Sequence, residues 1–384
     1  MKQNFDTSAL RQTAAEIQGA VKPKSITPAM VGGLFSALVE AQGEVIEALA
    51  ALEREVVTVK VNGYDGEQRV SAAGAKVYVD IFSIGSVPTV ALPRQELTAN
   101  EEGIVTFEVF KGYQYAVFSK LEGYGASFQY VYMAGLDSRT IELWNMPLGV
   151  YMCGYVAYYD EDNDAYRSVP YISSEYKDDI WDSDSALWDA TDSETLDDAC
   201  YWGVLVSAEN TSFAIAQKSQ SEDYAIWAGR SDYGNMVPAM PFYPIEPEKF
   251  DGDWEAAWMY AVEQVHGDFD GNLNTAKILA SCKTPVAAKF ATDIEDWSYG
   301  QHFLPSAGQL YLMYINRTAI ESLIEAANDA GMEIPEIFNS YYWSSTQCDE
   351  FCAWDVRMND GNTSLDDVLN GRYVRAVSAF QFIY

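Results

Sequence analysis

The sequence predicts an α+β multidomain protein, on three observations: an apolar heptad repeat near the start, period-two runs in the middle, and a tryptophan-rich, loop-interrupted remainder. The 384 residues exceed one ordinary core, which independently favours two or three domains. The expected boundaries are 1–56, 57–145 and 146–384.

Residues 1–56 read as a helical attachment segment, with a first helix from Thr7 to Ile17 and a second opening at Thr27-Pro28. Thr27 suits an N-cap and Pro28 the first helical position. Val31, Leu38, Val45 and Leu52 then recur every seven residues, with Phe35, Gln42, Leu49 and Val56 four residues after each. That is a heptad seam. Glu44, Glu47, Glu53 and Glu55 leave the apolar stripe narrow, which suits self-association as a short parallel coiled coil. By analogy with fibres the expected state is a homotrimer. Gly32 and Gly33 cost roughly 1 kcal/mol each inside a helix, so its firm part starts near Leu34.

Residues 57–145 alternate apolar and polar side chains, as in Val57–Val61, Lys76–Phe82 and Ile104–Phe110. Such runs are half-buried strands. Asn62-Gly63, Asp65-Gly66 and Lys111-Gly112 read as short antiparallel turns. A small β-sandwich follows. The run Asn100-Glu101-Glu102-Gly103-Ile104-Val105-Thr106-Phe107, then Gly112-Tyr113-Gln114-Tyr115-Ala116-Val117 and Gly123-Tyr124, resembles prealbumin-like, Ig-like or carboxypeptidase-regulatory modules. The resemblance implies a spacer, with Tyr113, Tyr115 and Val117 as core or half-buried residues.

In residues 146–384, Met146 to Tyr151, Trp202 to Ser207 and Ser212 to Ala216 have strand composition. Trp254 to Val265 reads as a helix. Asp268-Phe269-Asp270-Gly271-Asn272-Leu273-Asn274-Thr275 reads as a turn before a helix from Ala276 to Ser281, capped by Asn274 or Thr275. A third helix, Ala307 to Ala330, ends at Gly331. Then come Leu304-Pro305-Ser306-Ala307-Gly308-Gln309-Leu310, Tyr341-Tyr342-Trp343-Ser344-Ser345-Thr346-Gln347 and Tyr373-Val374-Arg375-Ala376-Val377-Ser378-Ala379-Phe380. These blocks, in this order, resemble the C-type lectin-fold variable proteins of diversity-generating retroelements, the family of the phage major tropism determinant. The resemblance implies a C-terminal C-type lectin fold whose fixed strands bracket diversified loops.

Trp343, Trp354, Val356, Val374, Val377 and Phe380 read as framework on buried strand faces. Between them, Cys348-Asp349-Glu350-Phe351-Cys352 and Ser364-Leu365-Asp366-Asp367-Val368-Leu369-Asn370-Gly371-Arg372 follow neither structural period. They read as loops, and loops on a rigid scaffold carry recognition. The family diversifies asparagine codons through template adenines, a route that cannot yield Glu, Gln, Lys, Met or Trp. Ser364 to Arg372, Cys348, Asp349, Phe351, Cys352, Asp355 and Arg357 fall within the reachable set, whereas Glu350 does not. The expected ligand-binding positions are therefore Tyr341, Cys348, Asp349, Phe351, Cys352, Asp355, Arg357, Ser364, Leu365, Asp366, Asp367, Val368, Leu369, Asn370, Gly371 and Arg372. Tyr341, Phe351, Leu365, Val368 and Leu369 would supply apolar contact, and the charged residues polarity and orientation.

Composition narrows the alternatives. With 24 basic against 57 acidic residues the net charge is −33, which repels phosphate backbones and anionic lipid, so nucleic acid and membrane insertion are not expected. No Sec-type leader or spanning helix is visible, which favours a virion component made in the host cytoplasm. Five scattered cysteines predict mostly reduced thiols.

Asp160 to Asp198 holds 14 acidic and 2 basic residues and reads as a solvated loop. Its start departs from an EF-hand at Ala165 and Tyr171. Glu246-Pro247-Glu248 and Trp354-Asp355-Val356 depart from the calcium-dependent sugar motifs of classical C-type lectins. His266 and His302 lack nucleophile or zinc spacing, and Cys348 and Cys352 are set aside as counterparts of the cysteines of formylglycine-generating enzyme, a lectin-fold relative. No metal, cofactor or catalytic residue is expected.

The reading is a non-enzymatic phage receptor-binding protein, a tail-fibre tip or adhesin, that grips a host cell-surface protein or glycan and joins other tail proteins through its N-terminus. A bacterial surface adhesin of the same fold and a glycan-degrading carboxylate enzyme stay open.

Overall fold

The computed structural model describes residues 54–64, 69–82, 94–111, 114–132, 138–160, 165–175, 198–216, 219–221, 223–238, 240–294 and 302–379. The heptad helix and its trimer seam lie outside these residues, except at their end. There Glu55 and Val56 are strand residues, because pairing of Arg54–Lys60 with Ile104–Phe110 extends the strand backwards past Val57.

The first unit contains β1 (Arg54–Tyr64), β2 (Arg69–Val70), β3 (Lys76–Phe82), β4 (Gln95–Thr98), β5 (Ile104–Phe110), β6 (Gln114–Lys120), β7 (Ser127–Tyr132) and β8 (Ser138–Asn145). β1 pairs antiparallel with β5 and β2 and parallel with β8, while β4-β3-β6-β7 form an antiparallel second sheet. Alternate residues face inward, so Val57, Val59, Val77, Val79, Val105, Phe107, Val117 and Ile141 meet in one core. This is the expected β-sandwich. Asn62 and Gly63 do not turn the chain. Both continue β1, held by Trp144 and Asn145 of the parallel neighbour.

The second unit begins with β9 (Gly149–Asp160), β10 (Ala165–Ser173), β11 (Asp198–Ala208), β12 (Thr211–Ala216) and β13 (Ala225–Ile226). Part of the expected acidic loop is thus strand β10, paired along β9. Helices α1 (Trp254–His266), α2 (Gly271–Ser281) and α3 (Val286–Thr292) follow, then β14 (His302–Phe303), α4 (Ala307–Ile315) and α5 (Arg317–Asp329). The chain closes with β15 (Tyr341–Gln347), β16 (Cys352–Arg357), β17 (Thr363–Asp367), β18 (Gly371–Arg372) and β19 (Val377–Ser378). One sheet has the order β10-β9-β11-β12-β19-β14, and β15-β16-β17 form another. Met152, Val204 and Phe213 of the large sheet, Val265 of α1, Leu310 of α4, Ile320 of α5 and Trp354 share a core. No helix among the described residues is long and apolar enough to cross a membrane.

Two helix expectations are corrected. α2 starts at Gly271, ahead of Asn274 and Thr275, which are then helix residues rather than caps. Asn274 donates to Asp268 Oδ2 at 3.1 Å and Thr275 Oγ1 to the Gly271 carbonyl at 2.7 Å. The long helix from Ala307 divides at Asn316, whose side-chain amide donates to the Leu312 carbonyl at 2.9 Å and favours termination there.

The two units are packed together. Tyr64, Trp144 and Met146 share an apolar cluster with Cys153, Ile172, Leu205 and Ala214. Ala116 and Phe128 of the sandwich meet Leu273 and Ala276 of α2, and Lys120 Nζ donates to Asn210 Oδ1 at 2.8 Å.

Candidate binding surface

β15 is a polar framework built into the core. Trp343 is fully buried and its indole donates to the Ala225 carbonyl at 2.9 Å. Ser344 Oγ donates to the Trp354 carbonyl at 2.6 Å, Thr346 Oγ1 to Asp268 Oδ2 at 2.7 Å, and Gln347 Oε1 accepts from Val237 N at 3.0 Å. The Trp-Ser-Ser-Thr-Gln run ties this strand to α4, β16 and the preceding loops. Trp354, Val356, Val374 and Val377 are also fully buried, as expected, and Phe380 lies outside the described residues.

On that framework sits an aromatic and charged surface. Tyr341 is half-buried, with the guanidinium of Arg357 5.2 Å and that of Arg372 5.0 Å from its ring centre. Arg372 Nε donates to Asp355 Oδ2 at 2.6 Å, and its Nη2 pairs with Asp366. Asp355 is fully buried and also accepts from Ser364. Burial pushes its carboxyl up, against the opposing pull of Ser364 and Arg372. Arg357 donates to Asp360, whose carboxyl that bond holds down. Asn370 donates to Asp366 Oδ1 at 2.7 Å. The surface is thus cross-braced by ion pairs and set before any ligand arrives.

Several expected positions occupy other roles. Ser364 to Asp367 belong to β17, paired with β16, and not to a loop. Cys348 and Val368 are buried core residues, and Leu365 and Leu369 pack half-buried against the two cores. Direct contact with a large partner is closed to Cys348, Asp355 and Val368, so Asp355 acts through Arg372. Asp349 caps a turn, accepting from Phe351 N and Cys352 N at 2.8 Å each. Gly371 pairs with Ile226, and a Cβ there would lie 2.9 Å from Tyr224 Cβ.

Other surface aromatics were not singled out in the sequence. Tyr233 donates to Asp367 Oδ2 at 3.0 Å and lies 5.0 Å from the exposed Phe351 ring. Tyr224 and Phe338 flank Tyr373, at 4.6 and 4.9 Å. For Tyr233 the signal is an isolated aromatic in a Gly-, Ser- and Asp-rich stretch, Gly229-Arg230-Ser231-Asp232-Tyr233-Gly234.

Among the described residues no three His, Cys, Asp or Glu side chains are grouped to hold a metal. His266 stacks on Tyr311 at 3.7 Å and shares a 2.8 Å hydrogen bond with Thr363, and burial lowers its pKa. His302 is buried in β14.

No protein-family model and no curated protein matches the chain. Among solved structures, a fimbrial protein from Bacteroides ovatus is similar at 10% identity, covering 86% of this chain and 71% of its own, with a TM-score of 0.27. The C-terminal domain of the shaft pilin SpaA from Lactobacillus rhamnosus GG covers 25% of this chain and 98% of its own, at 11% identity and TM-score 0.17. The 3-chlorocatechol 1,2-dioxygenase of Rhodococcus opacus 1CP covers 37% and 98%, at 9% identity and TM-score 0.19. Pilins and an enzyme score alike, so these likenesses carry no argument about function.

Proposed function

We propose that this chain is an adhesin-type binding protein rather than an enzyme. Its second unit is read as a C-type lectin fold, presenting the surface around Tyr341 and Arg372 to a host cell-surface protein or glycan. The observation that carries the reading is Tyr341 with two arginines against its ring, themselves fixed by Asp355, Asp366 and Asp360, on a fully buried tryptophan framework. Tyrosine and arginine are the side chains that most often dominate binding energy, and a braced surface loses little entropy on binding.

The finer reading is a phage tail-fibre tip diversified by a retroelement, made in the host cytoplasm, carried on the virion and joined to other tail proteins through its N-terminus. The heptad seam supports self-association, read as a homotrimer by analogy with fibres, in which weak single sites add through avidity. The test is binding of purified protein to intact cells of a susceptible host. Tyr341→Ala and Arg372→Ala should each weaken binding by about tenfold or more. Unchanged binding by both variants would remove this surface from the account.

A further inference from the structure

A cleft of about 390 Å³ opens between the sandwich and the second unit, away from the Tyr341 surface. Its volume lies within the ~300–1,000 Å³ of small-molecule sites. The sandwich supplies Arg94, Phe118 and Lys120. The facing wall is the start of α2 with the loop before it, including Phe269, Asp270 and Asn272, and Tyr243 from an earlier loop.

The charges of this cleft are largely matched. Arg94 Nε donates to both oxygens of Asp80 at 3.0 Å, its Nη2 pairs with Asp80 at 2.8 Å, and its guanidinium lies 4.6 Å over Phe118. Lys120 is engaged by Asn210. Asp268 accepts from Thr346, Asn274 and the Asp270 amide. Asp270 is different. Its half-buried carboxylate accepts no hydrogen bond from any described side chain or amide, although Arg94, Lys120 and Lys277 act on it electrostatically.

Ligand classes can be weighed against this wall. An anion would meet Asp268 and Asp270 at the helix end that otherwise attracts it. A cation would meet Arg94 and Lys120 on the wall, and no metal-holding group is present among the described residues. A neutral, hydroxyl-rich molecule meets neither penalty. Its hydroxyls donate to Asp270 and accept from the remaining N–H groups of Arg94 and Lys120. The apolar C–H face of a pyranose matches the rings of Tyr243 and Phe269.

We propose that this cleft is a second binding site, specific for a neutral saccharide, in which Asp270 accepts the sugar's hydroxyl hydrogen bonds. The site is independent of the Tyr341 surface and spans both units, so an occupying sugar bridges them.

Saturation-transfer NMR and titration on the full chain test it. The probes are glucose, galactose, mannose, N-acetylglucosamine and their neutral disaccharides, with glucuronic acid and glucosamine as charged counterparts. At least one neutral sugar should bind, its charged counterpart at least about tenfold more weakly. Asp270→Asn and the rim variant Asn272→Ala should each weaken it by about tenfold, while Glu263→Gln on exposed α1 changes nothing. Failure of every neutral sugar to bind, equal binding of the charged probes, or full binding by folded Asp270→Asn would overturn the proposal.

Discussion

Arg372 donates from Nε to Asp355 at 2.6 Å, across the boundary between a fully buried carboxylate and a guanidinium whose side chain keeps 25% exposure. One end of the pair is core and the other is surface. The pair therefore transmits the rigidity of β16 to the aromatic patch around Tyr341. Removing the carboxylate leaves Arg372 beside Tyr341 and Trp343 with Asp366 as its remaining ion-pair partner, and leaves Ser364 Oγ without its acceptor in the core. Asp355→Ala is expected to cost about 3 kcal/mol of unfolding free energy, read by urea denaturation, with loss of cell binding by the fraction that still folds.

Gly308 occupies the second position of α4 against the turn before α2. A Cβ there would lie 2.3 Å from the Asp268 carbonyl oxygen and 2.7 Å from that of His266. Both obstacles are backbone and cannot swing aside. Gly308→Ala should destabilise the protein by about 3 kcal/mol, measured by chemical denaturation.

Burial pushes the carboxyl of Asp270 above the ordinary range. A raised folded-state pKa means that the folded protein holds the proton to higher pH than the unfolded chain. This group's contribution to stability is then fully present below the unfolded pKa and falls as pH rises through the folded value. Asp270→Asn should raise the melting temperature at neutral pH, and the gain should shrink as the pH drops through the raised pKa. Gaining stability while losing the proposed sugar binding is the behaviour of a residue kept for function.

Cys348 and Cys352 face each other at the β15–β16 hairpin, where Cys348 N donates to the Cys352 carbonyl at 3.0 Å, and both are free thiols. Burial, first among the causes, pushes Cys348 up to about 12 and Cys352 to about 11. Since only the thiolate reacts, alkylation of both in the native protein at neutral pH should be at least about a hundredfold slower than for an ordinary cysteine. Peptide mapping after timed iodoacetamide exposure checks this.

The sequence was most legible where one physical rule dominated. Lys76–Phe82 and Ile104–Phe110 alternate cleanly, and the strands match those bounds. Trp343 and Trp354 were expected in the core and are there. Thr363–Asp367 was missed as a strand because its partner strand buries Asp355, so polar Ser364 points toward a buried charge and no apolar alternation remains. Arg375 shows the same limit. It is fully buried, donating to Gln220 Oε1 and the Pro335 carbonyl, and burial lowers its pKa to about 10. A long-range network of that kind leaves no periodic trace in the chain.

The most direct test of the central reading is to sequence this gene and its downstream DNA in many isolates of one lineage. The account predicts a near-copy of the codons for Tyr341 to Phe380, with changes confined to its adenines. Substitutions should gather at surface positions such as Tyr341, Phe351, Arg357, Asn370 and Arg372, while Trp343, Trp354 and Val374 stay fixed. No copy, and variation spread evenly over surface and core codons, would contradict it.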